Sequence, residues 1–355
     1  MFADARRILL VKLSSIGDVV HALPVAAALR KRFPDAYLAW AVRPAAAEVV
    51  IGNPHLEETL IVGGEGEARP GVRPVPALTE PVALRRALHE LGFDLALDLQ
   101  GLFKSALVAY LSGAKERVGF RNYQEGTFLL NNRRIVPDRR DVHAVEGYLG
   151  FAAAVGAPTT PVEFTIATSP EDDRHAEELV GGGGAVALIA GARWASKRWS
   201  PARFAAVGDA LHAEFGLAGI VVGESGDGPL ASEITAAAKS PVRDLTGKTT
   251  LKQLAAVFRR CAVTVANDTG PMYISSAMGT PTVAIFGPTD PARLGPYGEG
   301  HAKVSGGGGC APCRRRECAS LRCLEAVTVA QVVEAARRLI SCRLEDEAPT
   351  GGGRE

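Results

Sequence analysis

The chain has 355 residues, 47% apolar and 22% charged, with 39 glycines. That is long enough for two domains with separate cores and too apolar for a disordered chain. Its 40 Lys and Arg nearly balance 39 Asp and Glu, which argues against a global nucleic-acid binder. No apolar run reaches the roughly 18 to 20 residues of a spanning helix, and no leader with a cleavage site precedes the first strand. The expectation is a cytoplasmic protein, at most peripheral to a membrane; its basic clusters, such as Arg30–Arg32, Arg133–Arg134 and Arg139–Arg140, suit an anionic lipid surface.

The aliphatic run Arg7-Ile-Leu-Leu-Val-Lys12 predicts a parallel strand buried on both faces. It empties into Leu13-Ser-Ser-Ile-Gly-Asp18, and residues 19–33 carry apolar positions at helical spacing. This is a Rossmann-type start without G-x-G-x-x-G, which weighs against a dehydrogenase. Asp18 stands at the mouth of the helix. There an acidic side chain stabilises the helix dipole by about 0.3–1 kcal/mol, or acts as a general base at the carboxyl edge of the first strand. Strands at 37–42, 58–62 and 95–98 alternate with helices at 44–51 and 82–91, and residues 63–81, rich in Gly, Pro and charge, read as a surface loop.

Asp98-Leu-Gln-Gly-Leu-Phe-Lys104-Ser105 forms another strand-to-helix junction, with Gln100 and Lys104 on the same side of the sheet as Asp18. Lys104 suits an acceptor carboxylate or phosphate; the plain alternative is a solvated helix-start lysine. A strand at 117–121 leads into a region of cations and amides that suits an acidic sugar or phosphorylated head group, with Arg121 and His143 as acceptor-side candidates. After a helix at 145–155, an acidic helix at 169–180 and Gly181–Gly184 mark a linker, here set at 169–184.

The second half restarts with a strand at 185–190 and the loop Gly191-Ala-Arg-Trp-Ala-Ser-Lys-Arg-Trp199. Lys197 lies there between two of the chain's three tryptophans, with Arg193 and Ser196 beside it. Beyond a strand at 218–222, Glu224 or Asp227 is placed to bind a ribose hydroxyl pair. Residues 263–291, VTVANDTGPMYISSAMGTPTVAIFGPTDP, read as strand, loop, helix, turn, strand, and put Asp268, Thr269 and Gly270 at a strand's carboxyl end and a helix start, where open α/β sheets bind phosphate. Cys310, Cys313, Cys318 and Cys323 have zinc-like spacing at their start and suit a structural zinc knuckle without catalytic role. A terminal helix at 325–343 precedes a tail, 344–355, expected to be disordered.

These phrases resemble the bacterial ADP-heptose:lipopolysaccharide heptosyltransferases, glycosyltransferase family 9, from about Ile8 to about Ile340. The matching residues are Ser15-Ile-Gly-Asp18, the Asp98–Ser105 phrase, the Gly191–Trp199 loop and DTGPM through GPTDP; the family usually carries His where this chain has Tyr273. The resemblance implies an α/β GT-B fold of two facing Rossmann-like domains, residues 1–168 for the acceptor and 185–343 for the nucleotide sugar. It implies an inverting enzyme on the cytoplasmic face of the inner membrane that moves heptose from ADP-heptose to Kdo or the first heptose of lipopolysaccharide. Asp18 would be the base, Lys197 would meet the donor diphosphate, Asp268 and Thr269 would address its sugar and phosphate, and no metal or cofactor would be needed. Epimerases and transferases using other nucleotide sugars share this architecture and stay open, as does an inactive nucleotide-binding scaffold. The run from Arg121 through Arg134 resembles enzymes adding the first heptose, and the cysteine cluster those adding the second.

Overall fold

The computed structural model describes residue 2 and residues 5–122, 125–136, 141–182, 184–307 and 309–347. Of the tail expected at 344–355, residues 344–347 are instead the end of a helix, Val329–Glu347, and the remainder, with Arg139–Arg140, lies outside the described residues. The chain divides into two compact units, Met1–Thr168 and Ser169–Glu355.

The first unit contains β1 (Arg7–Val11), β2 (Tyr37–Val42), β3 (Glu58–Val62), β4 (Val72–Val75), β5 (Leu95–Asp98), β6 (Glu116–Phe120) and β7 (Arg133–Val136). Among the described residues these form one seven-stranded sheet in the order β4-β3-β2-β1-β5-β6-β7, every pairing parallel. Its helices are α1 (Ile16–Arg32), α2 (Pro44–Val50), α3 (Pro81–His89), α4 (Phe103–Leu111) and α5 (Ala144–Ala154). Ile8 through Val11 are wholly buried, as a strand covered by helices on both faces must be. The register sets Val11 beside Asp98. The loops leaving β1 and β5 therefore start side by side.

The second unit contains β8 (Ala185–Ile189), β9 (Ala218–Val221), β10 (Val242–Asp244), β11 (Cys261–Asn267), β12 (Thr282–Phe286) and β13 (His301–Ser305), again all parallel, in the order β10-β9-β8-β11-β12-β13. Its helices are α6 (Pro170–Val180), α7 (Pro201–Phe215), α8 (Gly228–Ala237), α9 (Leu251–Arg259), α10 (Gly270–Ala277), α11 (Pro291–Leu294), α12 (Arg322–Glu325) and α13 (Val329–Glu347). The segment expected as a linker is thus largely α6, which packs on α9 and carries a capping box at Ser169 and Asp172.

One expectation is corrected here: the 63–81 loop contains an edge strand, β4. Pro74 interrupts its pattern, and proline is tolerated only where no ladder hydrogen bond is required of it, as at an edge.

Candidate active site

Asp18 lies in the first turn of α1, just past the carboxyl end of β1. Its Oδ2 accepts hydrogen bonds from the Ser15 hydroxyl at 2.8 Å and the Ser15 amide at 3.2 Å, and its Oδ1 faces the Tyr148 hydroxyl of α5 at 3.4 Å. Beneath it is Lys12, only 4% exposed, with its ammonium 4.8 Å from the centre of the Tyr148 ring. Burial lowers the Lys12 pKa, against the opposing pull of Asp18 and Asp98. Burial of Asp18 works against its charge, but Lys12, the two Ser15 hydrogen bonds and His21 together hold the carboxyl below its ordinary range. The group is a carboxylate at neutral pH.

Asp98 is fully buried, and burial raises its pKa despite hydrogen bonds from Ser105, from Asn131 and from the amides of Gly101 and Gln100. Gln100 turns inward: its Oε1 accepts from the amides of Leu13 at 2.9 Å and Ser14 at 3.3 Å, so it pins the loop that presents Asp18. Lys104 sits half-buried in the first turn of α4, near enough to Lys12 to lower its pKa. His143 caps α5 by accepting from Val145 N, and its ring meets His21 edge-on at 5.4 Å. Arg121 is exposed, just beyond β6. Of the acceptor-side candidates, Gln100, Lys104 and His143 are drawn into contact with the Asp18 group or its neighbours, and Arg121 is set on the rim.

In the second unit, Lys197 ends a short turn, Ala195–Lys197, its ammonium 2.6 Å from Asp268 Oδ2 and 4.7 Å from the centre of the Trp194 ring. Asp268 is occupied three ways, because the Thr289 hydroxyl donates to Oδ2 at 2.6 Å and the Tyr273 hydroxyl to Oδ1 at 2.6 Å. The carboxylate expected to address the donor is also the partner of Lys197. Tyr273, where the resemblance leads one to expect His, is a member of this cluster. The loop itself is fixed by Asn267, whose side chain donates to Ala190 O and accepts from Trp199 N.

Thr269 is the N-cap of α10 but makes no side-chain capping hydrogen bond, so the first amides of that helix have no side-chain partner there. Gly270 follows as the first helical residue. Ser196 faces away from this opening: it is buried, its hydroxyl donating to Arg315 O at 2.6 Å. Arg193 is exposed on the same loop. Asp227 fits against two strand ends so closely that a β-carbon on Gly191 or Gly223 would collide with its carboxylate, and burial raises its pKa. Glu224 beside it is exposed.

The zinc expectation fails the fit. Among the described residues no group of three or more His, Cys, Asp or Glu is placed to hold a metal. Cys323 packs into the core of the second unit through α12, and its thiol pKa is raised by burial and by the nearby Cys310 and Cys313; Cys310 itself is exposed.

The comparisons with known proteins bear on this geometry. The family model for glycosyltransferase family 9 (heptosyltransferase) matches residues 82–323, more than half of the chain. The chain belongs to glycosyltransferase family 9. It is 27% identical over 303 residues to the lipopolysaccharide core heptosyltransferase OpsX of Haemophilus influenzae, covering 84% of each chain. It is 27% identical over 318 residues to lipopolysaccharide heptosyltransferase 1 of Pseudomonas aeruginosa, covering 88% of this chain and 87% of the relative. Escherichia coli ADP-heptose lipopolysaccharide heptosyltransferase II superposes with a TM-score of 0.77 at 23% identity, over 96% of this chain and 100% of that one. The GT-B fold is shared, and this family 9 member is a glycosyltransferase.

Sequence reasoning passed over three members of these clusters. Lys12 closes an aliphatic run and reads as the point where a strand meets solvent. Tyr148 lies far along the chain on α5. Thr289 was visible inside GPTDP, but its hydroxyl reaches Asp268 only because β11 and β12 are neighbours.

Proposed function

We propose that this enzyme moves heptose from ADP-heptose to an inner-core sugar of lipopolysaccharide, Kdo or the first heptose, with inversion, at the cytoplasmic face of the inner membrane. The observation that carries the reading is the Asp18 carboxylate at the carboxyl end of β1, held ionised by buried Lys12 and the Ser15 hydrogen bonds. Asp18 takes the proton of the acceptor hydroxyl while that oxygen attacks the anomeric carbon from the face opposite the diphosphate. The bond to ADP breaks, and the leaving diphosphate carries the electron pair. Lys197, oriented by Asp268, and the first amides of α10 meet that charge. Asp18 then returns its proton to solvent. Lys104, Arg121 and His143 face the acceptor, and Asp227 or Glu224 the ribose.

The likeness to lipopolysaccharide heptosyltransferases supports the heptose donor, and the cluster of Asp268, Thr289 and Tyr273 around Lys197 supports a diphosphate. Calorimetric titration with ADP, ADP-heptose and UDP-sugars, for the wild type and Lys197→Ala, tests the donor. Selective ADP-heptose binding that collapses in Lys197→Ala is expected. Preference for a uridine nucleotide overturns the substrate, and no binding of either kind overturns the enzyme reading.

A further inference from the structure

We propose that the face formed by α4, the 127–129 turn and β7 is a docking surface for an anionic lipid membrane. The inference rests on the reading above, in which the acceptor is carried by a lipid. Among the described residues the exposed large hydrophobics are Val82, Phe103, Tyr110, Phe128, Leu129 and Ile135, and all but Val82 fall within residues 103–135. Single exposed apolar side chains are ordinary, but a cluster marks a surface that meets something.

The elements carrying them are neighbours. Phe103 and Tyr110 are seven residues apart and share one face of α4. The turn Thr127–Leu129 packs on α4, with Thr127 buried as its anchor and Leu129 72% exposed. The Glu125 carboxylate accepts from the Phe103 amide at 3.1 Å and ties that turn to the start of the helix. β7 is the edge strand beside β6; its Val136 is buried against α5 while Ile135 is exposed.

Charge makes the partner specific. Residues 101–136 contain six Lys and Arg against two Asp and Glu. Both acids are engaged, Glu116 with Arg133 and Glu125 with the Phe103 amide. Lys115, Arg121 and Arg134 are exposed around the apolar side chains, and the Arg117 guanidinium lies 5.4 Å from the centre of the Tyr110 ring. Aromatic and aliphatic groups ringed by cations fit the head-group boundary of a bilayer rich in acidic phospholipid: the apolar groups enter the acyl boundary and the cations meet phosphate. α4 also begins at Phe103, three residues after Gln100, which bonds the loop that presents Asp18, so docking through this face sets the acceptor side of the site against the lipid.

The test is cosedimentation of the full chain with vesicles of phosphatidylglycerol and phosphatidylethanolamine, and with vesicles of phosphatidylcholine alone. Binding to the anionic vesicles that weakens with salt is expected. A double variant, Phe128→Gln with Leu129→Gln, should lose at least about tenfold in vesicle affinity, and Lys115→Gln about fivefold. Both should keep the wild-type melting temperature and wild-type turnover on a water-soluble core oligosaccharide. Equal binding to both vesicle types, or unchanged binding by the double variant, overturns the proposal. So does a concentration-dependent dimer broken by the double variant, which would give the face to a second copy of the chain. Absence of turnover on the soluble acceptor by the wild type would count against the acceptor reading, while the vesicle result would still decide the docking.

Discussion

At the scale of single residues, the pH behaviour of Asp18 is set by Lys12. In the proposed mechanism Asp18 must be ionised to act, and its pKa lies below the usual carboxylate range, so activity should persist as pH falls through that range and fail only below it. Lys12→Met removes the main counter-charge and leaves burial, which raises the pKa, acting against the Ser15 hydrogen bonds and His21 alone. The acid limb of kcat/KM should therefore move to higher pH in this variant, and an unmoved limb would separate Lys12 from the base. Among the neighbouring charged groups, His21 acts on Asp18, and Asp98 and Lys104 act on Lys12. In the second unit, Tyr273→Phe deletes a donor to a charged carboxylate, an interaction worth about 1.5–3 kcal/mol. Donor affinity should weaken by roughly ten- to a hundredfold, read as a rise in Kd for the nucleotide sugar with the melting temperature little changed. Unaltered donor binding would leave Tyr273 a packing residue.

At the scale of elements, both clusters are built from loops at the carboxyl ends of parallel strands, held by side chains that bond to neighbouring loops. Gly101 shows how tightly one of these loops is fitted. Its φ is +70°, and a β-carbon there would come within 2.7 Å of the Phe120 ring. Gly101→Ala should cost about 1–3 kcal/mol, read as a lower melting temperature, and should reduce kcat as well, because Gln100 next to it pins the Leu13–Ser14 loop. The sequence revealed the central strands readily, since β1, β8 and β12 are unbroken aliphatic runs bounded by polar turns. It concealed the edge strands: β4 contains Arg73 and Pro74, β7 begins with two arginines and β13 alternates Lys303 with small residues, patterns that read as loops until a neighbour is known. Asp18, Lys197 and Asp268 stood out because each follows a strand in a polar turn. Which turn residues bond to a neighbouring loop was not legible, as Gln100 does to Leu13 and Ser14 and Ser196 does to Arg315. That distinction depends on contacts across the sheet, which local sequence does not encode.

At the scale of the whole molecule, two parallel α/β units each carry one charged cluster at a sheet's carboxyl end, the first built round a carboxylate and the second round an ammonium. No helix among the described residues is long and apolar enough to cross a membrane. The cysteines offer a direct check on the packing. Burial pushes the Cys261 thiol up to about 12, whereas Cys310 and Cys342 are exposed. In the native protein a thiol reagent at pH 8 should label Cys310 and Cys342 promptly and Cys261 only on unfolding; prompt labelling of Cys261 would contradict the burial of the start of β11. The central claim is that Asp18 is the base of a sugar transfer. It is tested most directly by measuring turnover of Asp18→Asn together with its donor affinity. The account predicts a fall in kcat of roughly 10²–10⁴ with ADP-heptose binding intact; near-wild-type turnover in that variant would contradict it.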